Sequence, residues 1–350
     1  MTSIKVNADY ELVLFGKKEA PKVINQSIEF LALYLEELPL FTEKVYTEEF
    51  LNHVRKISGR NPIILKEGEW RNWWGDLADL SLESEINSKE FILPFSRESQ
   101  LVTDLQNLNL DPLVMYLAKS PYGMSGQNFL TFTANDLEKL KAFLEKRGKI
   151  IIEPLRSRVH DFSHYVFPGG KSIAYQNLVD EKFQYKGTIF SDLTYPDLRQ
   201  LNFYEDISSD EWSKFEKIFT EVRSAVLKAG GTGGYSIDSF TYLENNELKI
   251  RDVSEVNYRK TMGLMAWLLS MKYFKDMAWS LFVLGKSLQR SDAFSYVEEK
   301  LRRFPNLIHL SPGDTRFEAF LIGANSPVEG KEKFEQLREL LPDCQFSIKI

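Results

Sequence analysis

The chain has 350 residues, 43% of them hydrophobic and 27% charged, ordinary globular values that exclude a disordered or fibrous protein. A chain of this length buries roughly 75% of its unfolded surface, so it needs no disulfide or metal to hold it together. Its 44 Lys and Arg against 50 Asp and Glu leave a net charge of −6. With no basic surplus to neutralise a phosphate backbone, no nucleic-acid partner is expected, although a local basic pocket for a small anion is not excluded.

The first ten residues show no basic stretch leading into an apolar one, so no secretory signal is expected. The run 10–16, Tyr-Glu-Leu-Val-Leu-Phe-Gly, predicts a short strand closed by glycine. Val23, Ile28, Leu31 and Leu35 recur at helical spacing and predict a helix over 21–37. Thr47 followed by Glu48 and Glu49 predicts the capped start of a second helix, ending near residue 57, with a strand at 62–65 after it. This alternation suggests α/β layers for the first hundred residues. An apolar strand at 113–118 then leads into Lys119, a turn-rich loop and a second strand at 128–133. Asn135 caps a predicted helix to 147, followed by a strand at 149–153. Further strands are expected at 163–167, 171–175, 235–243 and 248–253, with a helix over 209–229 stopped by Gly230 and Gly231. The apolar stretch 262–285 is interrupted by Lys272, Lys275 and Asp276, which leaves pieces too short to span a bilayer. A buried helix pair is expected there, and no membrane partner. A strand at 317–323, a helix over 331–341 and a strand at 344–350 close the chain. Cys344 is the single cysteine and can make no internal disulfide, and four scattered histidines form no Cys/His zinc site. A reducing, cytoplasmic location is the simplest expectation.

Three segments carry chemistry. In Lys119-Ser-Pro-Tyr-Gly-Met-Ser-Gly126, a lysine at a strand end precedes a loop with two glycines and two serines. Such a loop can bring backbone N–H groups close to a polyphosphate, with Lys119 as a point charge, and a plain hairpin turn explains the same residues. In Ile150-Ile-Ile-Glu153-Pro-Leu, an apolar strand enters a hinge that can meet an adenine edge, and Asp161 downstream can hold ribose hydroxyls. A strand end with solvated acids reads equally well. The third segment is the sharpest. On a strand, Glu255, Asn257 and Arg259 share one side, and a hairpin around 244–247 brings Asp238 alongside. Two carboxylates and an amide oxygen are hard ligands suited to Mg²⁺ on nucleotide phosphates. A solvated hairpin face is the alternative.

In order and rough spacing, these segments resemble the ATP-grasp superfamily of ATP-dependent ligases, over about residues 85–265. The strongest element is Glu255-x-Asn257-x-Arg259, shared with biotin carboxylase-like and carboxylate–amine ligase members. The resemblance implies an α/β, ATP-grasp fold. A Rossmann-like N-terminal domain would occupy 1–110, the nucleotide-binding core 111–265, and a small α+β C-terminal extension 266–350. It implies ATP and Mg²⁺ as cofactors. Lys119 with Gly123, Ser125 and Gly126 would close over the phosphates, Glu153 would meet adenine and Asp161 the ribose. Asp238, Glu255 and Asn257 would hold the metal. Lys89 looks like the family's earlier phosphate-binding lysine, although Ser88 stands where an acid usually precedes it. The implied chemistry joins a carboxylate to an amine through an acylphosphate, with Arg259 and Lys119 as the catalytic cations. The partners would be two small molecules, and a homo-oligomer is possible. A kinase acting on a hydroxyl through the same nucleotide site is one alternative, and a nucleotide-binding partner protein without turnover is another. The intact set Lys119, Asp238, Glu255 and Asn257 disfavours the latter.

Other stretches read two ways. Trp70, Trp73 and Trp74 could wall a cleft or anchor a loop to the core. Arg156 and Arg158 could hold an anionic substrate or lie in solvent, and 185–188 falls where such ligases have a mobile loop. His160 and His164 are expected on a surface or edge strand rather than in catalysis.

Overall fold

The computed structural model describes residues 2–14, 16, 22–96, 98–106, 108–122, 129–194, 196–288 and 290–348. The N-terminal layer is a parallel sheet of β1 (Ser3–Lys5), β2 (Leu40–Phe41), β3 (Ile64–Leu65) and β4 (Trp70–Asn72), in the order β3-β2-β1-β4. Its connections carry α1 (Tyr10–Leu14), α2 (Lys22–Gln26), α3 (Phe30–Leu35) and α4 (Glu48–Ser58), and α5 (Leu80–Asn87) leads out of it. Parallel neighbours need such crossovers, so the α/β alternation read from the sequence has its physical counterpart here.

Two details of this layer differ from expectation. The run at 10–14 is helical, and the central strand is the shorter Ser3–Lys5 before it. Apolar runs of this length do not reveal their period, and backbone bonds from Tyr10 and Leu12 back to Asn7 and Asp9 close the turn. The helix expected over 21–37 is broken into α2 and α3. At the break, Ser27 Oγ donates to Ile24 O at 2.6 Å, and Glu29 turns inward to accept from Thr42 Oγ1 at 3.0 Å. The helix at 48–58 is as expected, with Thr47 accepting from Phe50 N.

A small antiparallel sheet follows, built from β5 (Gln100–Val102), β6 (Tyr116–Lys119), β7 (Phe129–Phe132) and β8 (Ile150–Pro154), in the order β5-β8-β6-β7. Helix α6 (Leu137–Arg147) packs Leu140 and Leu144 against Val102, Ala118, Phe132 and Ile152. The residue before this helix is Asp136 rather than Asn135, and its carboxylate accepts from Thr133 N at 3.0 Å.

The third layer is an eight-stranded antiparallel sheet. Its strands are β9 (Arg158–Val166), β10 (Ser172–Val179), β11 (Tyr185–Phe190), β12 (Tyr235–Glu244), β13 (Glu247–Asn257), β14 (Trp279–Lys286), β15 (Leu307–His309) and β16 (Phe317–Ala324). They lie in the order β13-β12-β9-β10-β11-β14-β16-β15, so the sheet continues past residue 265. Helix α7 (Ser209–Lys228), begun by Ser208, lays Trp212, Phe215, Ile218, Val222 and Val226 on the β9, β12 and β13 end. At the other end, α8 (Met262–Phe274) covers one face of β14 and α10 (Pro327–Leu340) the other, with α9 (Ala293–Leu301) beside β15.

That two-sided cover explains the second half of 262–285. Only 262–274 is helical, and 279–286 is a strand rather than a second helix. A strand buried on both faces reads as a continuous apolar run, which sequence alone cannot tell from a buried helix. Residues 185–190 likewise form β11 inside the sheet and not a mobile loop. Gly187 is required there, because a Cβ would stand 2.4 Å from Phe282 O of the neighbouring strand. The expected strand at 344–350 makes no ladder among the described residues. Its alternation survives as burial, with Cys344, Phe346 and Ile348 turned into the α10-side core. Among the described residues, no helix is long and apolar enough to cross a membrane.

Candidate functional site

The site begins with the β12–β13 hairpin. Asn245 and Asn246 make its turn with φ of 52° and 63°, the left-handed pair that a two-residue hairpin needs. That turn pairs Glu244 with Glu247 and carries the register as far as Phe240 opposite Arg251; a bulge-like shift between Phe240 and Asp238 then sets Asp238 opposite Glu255, and Ser236 opposite Asn257. Asn257 bridges the two acids: its Nδ2 donates to Asp238 Oδ2 at 2.8 Å and Glu255 Oε1 at 3.3 Å. Asp238 Oδ1 also accepts from Ser163 Oγ at 2.7 Å and Ser236 Oγ at 3.1 Å. Burial and the facing charge of Glu255 push the Asp238 carboxyl well up. Burial would do the same to Glu255, but Lys89 beside it holds that carboxyl low.

Two lysines arrive from other layers. Lys89 follows α5, and its Nζ stands 2.9 Å from Glu255 Oε2. Its burial works against the ammonium charge, and Glu255, Glu11 and Glu153 around it outweigh that and raise its pKa. Lys119 ends β6 and pairs with Glu153 Oε1 of the adjacent strand β8. Burial lowers the Lys119 pKa, with Arg158 and Lys89 adding to the effect, although Glu153 opposes it. Glu153 is 5% exposed; burial alone would raise its carboxyl, yet Lys119 and Arg251 hold it at about 2.

Arg259, just beyond β13, is held on several sides. Its Nε donates to Glu11 Oε1 of α1 at 2.8 Å and its Nη2 to Asn257 Oδ1 at 2.9 Å, while Nη1 donates to Lys260 O at 3.0 Å. Trp74 lies beneath the guanidinium, 5.7 Å from ring centre to Cζ. The structure therefore gathers Lys89, Lys119, Glu153, Asp238, Glu255, Asn257 and Arg259 where the hairpin, the small sheet and the N-terminal layer meet. Gly123, Ser125 and Gly126 lie outside the described residues. Asp161 is on β9, across from Asn177 of β10, and is committed to Arg158, whose Nη1 is 2.6 Å from its Oδ1. Arg158 in turn is packed between the Phe183 and Phe240 rings, at 4.6 and 4.2 Å. Arg156 pairs with Glu98 and with Glu244, so neither arginine is simply solvated.

Sequence reasoning missed three members of this site. Glu11 belongs to a stretch read as a strand, and Ser163 has no charge to mark it. Arg251, 6% exposed, stands four residues before Glu255 and donates to Glu153 Oε2 at 3.1 Å. Its strand carries five charged residues among eleven, so charge alone did not mark it. The tryptophans divide: Trp73 and Trp74 are buried anchors, while Trp70 is 46% exposed and stacks on Phe41 at 4.4 Å. His160 stacks on Phe203 at 4.3 Å, and burial pushes His164 down to about 3, so neither suits acid–base work near neutral pH.

Among the described residues, no three His, Cys, Asp or Glu side chains cluster as a ready metal site. The hairpin offers two carboxylates, and the Asn257 amide, which now turns Nδ2 to the acids and Oδ1 to Arg259, would have to rotate to offer its oxygen. Their chemistry fits Mg²⁺, since Asp238 and Glu255 face and repel each other in a half-buried site, and a divalent cation would neutralise that repulsion.

No family model matches the sequence, and no curated protein matches it. Solved structures do match in shape. Carboxyaminoimidazole ribonucleotide synthase from Aspergillus clavatus, complexed with ATP, superposes with a TM-score of 0.52 at 11% identity, covering 98% of this chain and 99% of that one. N5-carboxyaminoimidazole synthetase from Staphylococcus aureus, complexed with ADP, gives 0.53 at 10% identity over 96% of both chains. Phosphoribosylamine–glycine ligase from Thermotoga maritima gives 0.51 at 11% identity over 97% and 96%. At such identities the likeness speaks for architecture, and the chain has the ATP-grasp fold that these enzymes share.

Proposed function

We propose that this protein is an ATP- and Mg²⁺-dependent ligase that joins a carboxylate to an amine through an acylphosphate. The observation that carries the reading is the gathering of three half-buried cations at the hairpin that pairs Asp238 with Glu255: Lys89 on Glu255, Arg259 on Asn257, and Lys119 beside them through Glu153, which Arg251 of the same hairpin also holds. That arrangement suits a polyphosphate, whose transfer needs positioning and charge neutralisation more than covalent help from the protein. The fold supports it, since structures sharing the architecture were solved with ATP and with ADP.

In this reading Asp238, Glu255 and Asn257 hold Mg²⁺, which when bound supplies positive charge to the phosphate oxygens. Lys119 exchanges Glu153 for a phosphate oxygen, and Lys89 exchanges Glu255 in the same way. An acid substrate attacks the terminal phosphoryl group, ADP leaves, and Arg259 steadies the acyl oxygens of the resulting acylphosphate. A neutral amine then attacks the acyl carbon, phosphate departs, and the amine loses its proton.

Hydroxylamine tests this chemistry because it captures activated acyl groups. A screen of small acids should find one that stimulates ADP release and, with hydroxylamine present, gives a hydroxamate detectable by mass spectrometry. A stable phosphorylated product without hydroxamate would make the enzyme a kinase instead.

A further inference from the structure

Arg251 lies on β13, in the large sheet, and reaches across to the small one. Its Nη2 is ringed by three acceptors for its two hydrogens, Glu153 Oε2 at 3.1 Å and Ser96 Oγ and Ser99 Oγ both at 2.6 Å, while Nη1 stands 3.4 Å from Glu98 Oε2. Ser99 Oγ also donates to Glu153 Oε2 at 3.0 Å. The other carboxylate oxygen of Glu153 takes Lys119. One buried carboxylate thus serves two cations, one from each sheet.

That sharing matters once Lys119 is required elsewhere. To meet a phosphate, the Lys119 ammonium must leave Glu153, and a buried carboxylate stripped of its partner carries a heavy desolvation cost. A carboxylate with Lys119 as sole cation would keep the lysine from leaving. With Arg251 and Ser99 already on Oε2, Glu153 stays paired when Lys119 departs. We infer that Arg251 is a positioning residue that holds Glu153 so that Lys119 can exchange its carboxylate partner for a nucleotide phosphate. The inference rests on the nucleotide reading above and adds a residue to it.

A mere strut between sheets would stabilise the fold without caring about the charge on Glu153, and this difference is measurable. Mg-ATP affinity is titrated calorimetrically on the full chain for wild type, R251M, R251K, E153Q and the R251M/E153Q double variant, with melts confirming that each folds. R251M should weaken Mg-ATP about tenfold or more, the scale of one charge-assisted contact. In the E153Q background the same R251M change should cost less than about twofold, because no buried charge is left to hold. R251K keeps the charge and should stay within about threefold of wild type. Equal losses from R251M in both backgrounds would overturn the inference, since independent contributions add. So would an R251M variant that binds like wild type. If R251M does not fold, R251Q, which retains donors for Ser96 and Ser99, carries the same comparison. Wild-type protein that does not bind Mg-ATP at all overturns the nucleotide reading itself, and this inference with it.

Discussion

Asp238→Asn and Glu255→Gln should each lower turnover about a thousandfold at saturating Mg-ATP, the upper end of what one electrostatic contact at a reacting centre commands. Each removes half of the negative charge that the hairpin offers to a divalent cation. Their effects on stability should differ in sign. Asp238 stands opposite the charge of Glu255, so the neutral amide relieves a repulsion, and Asp238→Asn should melt at or above the wild-type temperature without nucleotide. Glu255→Gln leaves the Lys89 ammonium without its 2.9 Å carboxylate partner, so it should melt lower. Active sites commonly trade stability for function in this way. Wild-type turnover in either variant would remove the hairpin from the catalytic machinery.

Arg259→Lys should lose about 10²–10³ in kcat while binding Mg-ATP within about threefold of wild type. The guanidinium is spread over Glu11, Asn257 and the Lys260 carbonyl, and it lies over the Trp74 ring. A lysine keeps the charge but cannot reproduce that planar fork, so the oxygens of the reacting acid lose their oriented donors. Steady-state kinetics with the acid found in the hydroxylamine screen separates the two quantities. A variant that loses nucleotide affinity instead would place Arg259 on the phosphates.

Much of this site was legible because its signals are local. The Glu255-x-Asn257 alternation and the Asn245-Asn246 turn lie within one hairpin, and Lys119 ends a strand that its own apolar run announces. Thr47 marks its helix by composition alone. What stayed hidden depends on contacts across the fold. Glu11 meets Arg259 over a separation of 248 residues, and Arg251 meets Glu153 over 98. No periodicity reports such pairs. The misread strands β11 and β14 fail for a related reason, since burial on both faces by distant helices erases the alternation that identifies a half-exposed strand. Asp161 shows the opposite limit: its partner Arg158, only three residues away, takes the carboxylate that was expected to face a ribose.

The central claim is that Mg-ATP binds through Lys119 and its neighbours, and a melting experiment tests it most directly. A ligand that binds only the folded state stabilises it by about 2.7 kcal/mol at a hundredfold excess over its Kd. For a chain of this size that is a shift of several degrees. Wild-type protein should show such a shift with millimolar Mg-ATP, and Lys119→Ala, which removes the cation proposed to meet the phosphates, should show much less of it. An unchanged wild-type melt, or a shift of equal size in Lys119→Ala, would contradict the account.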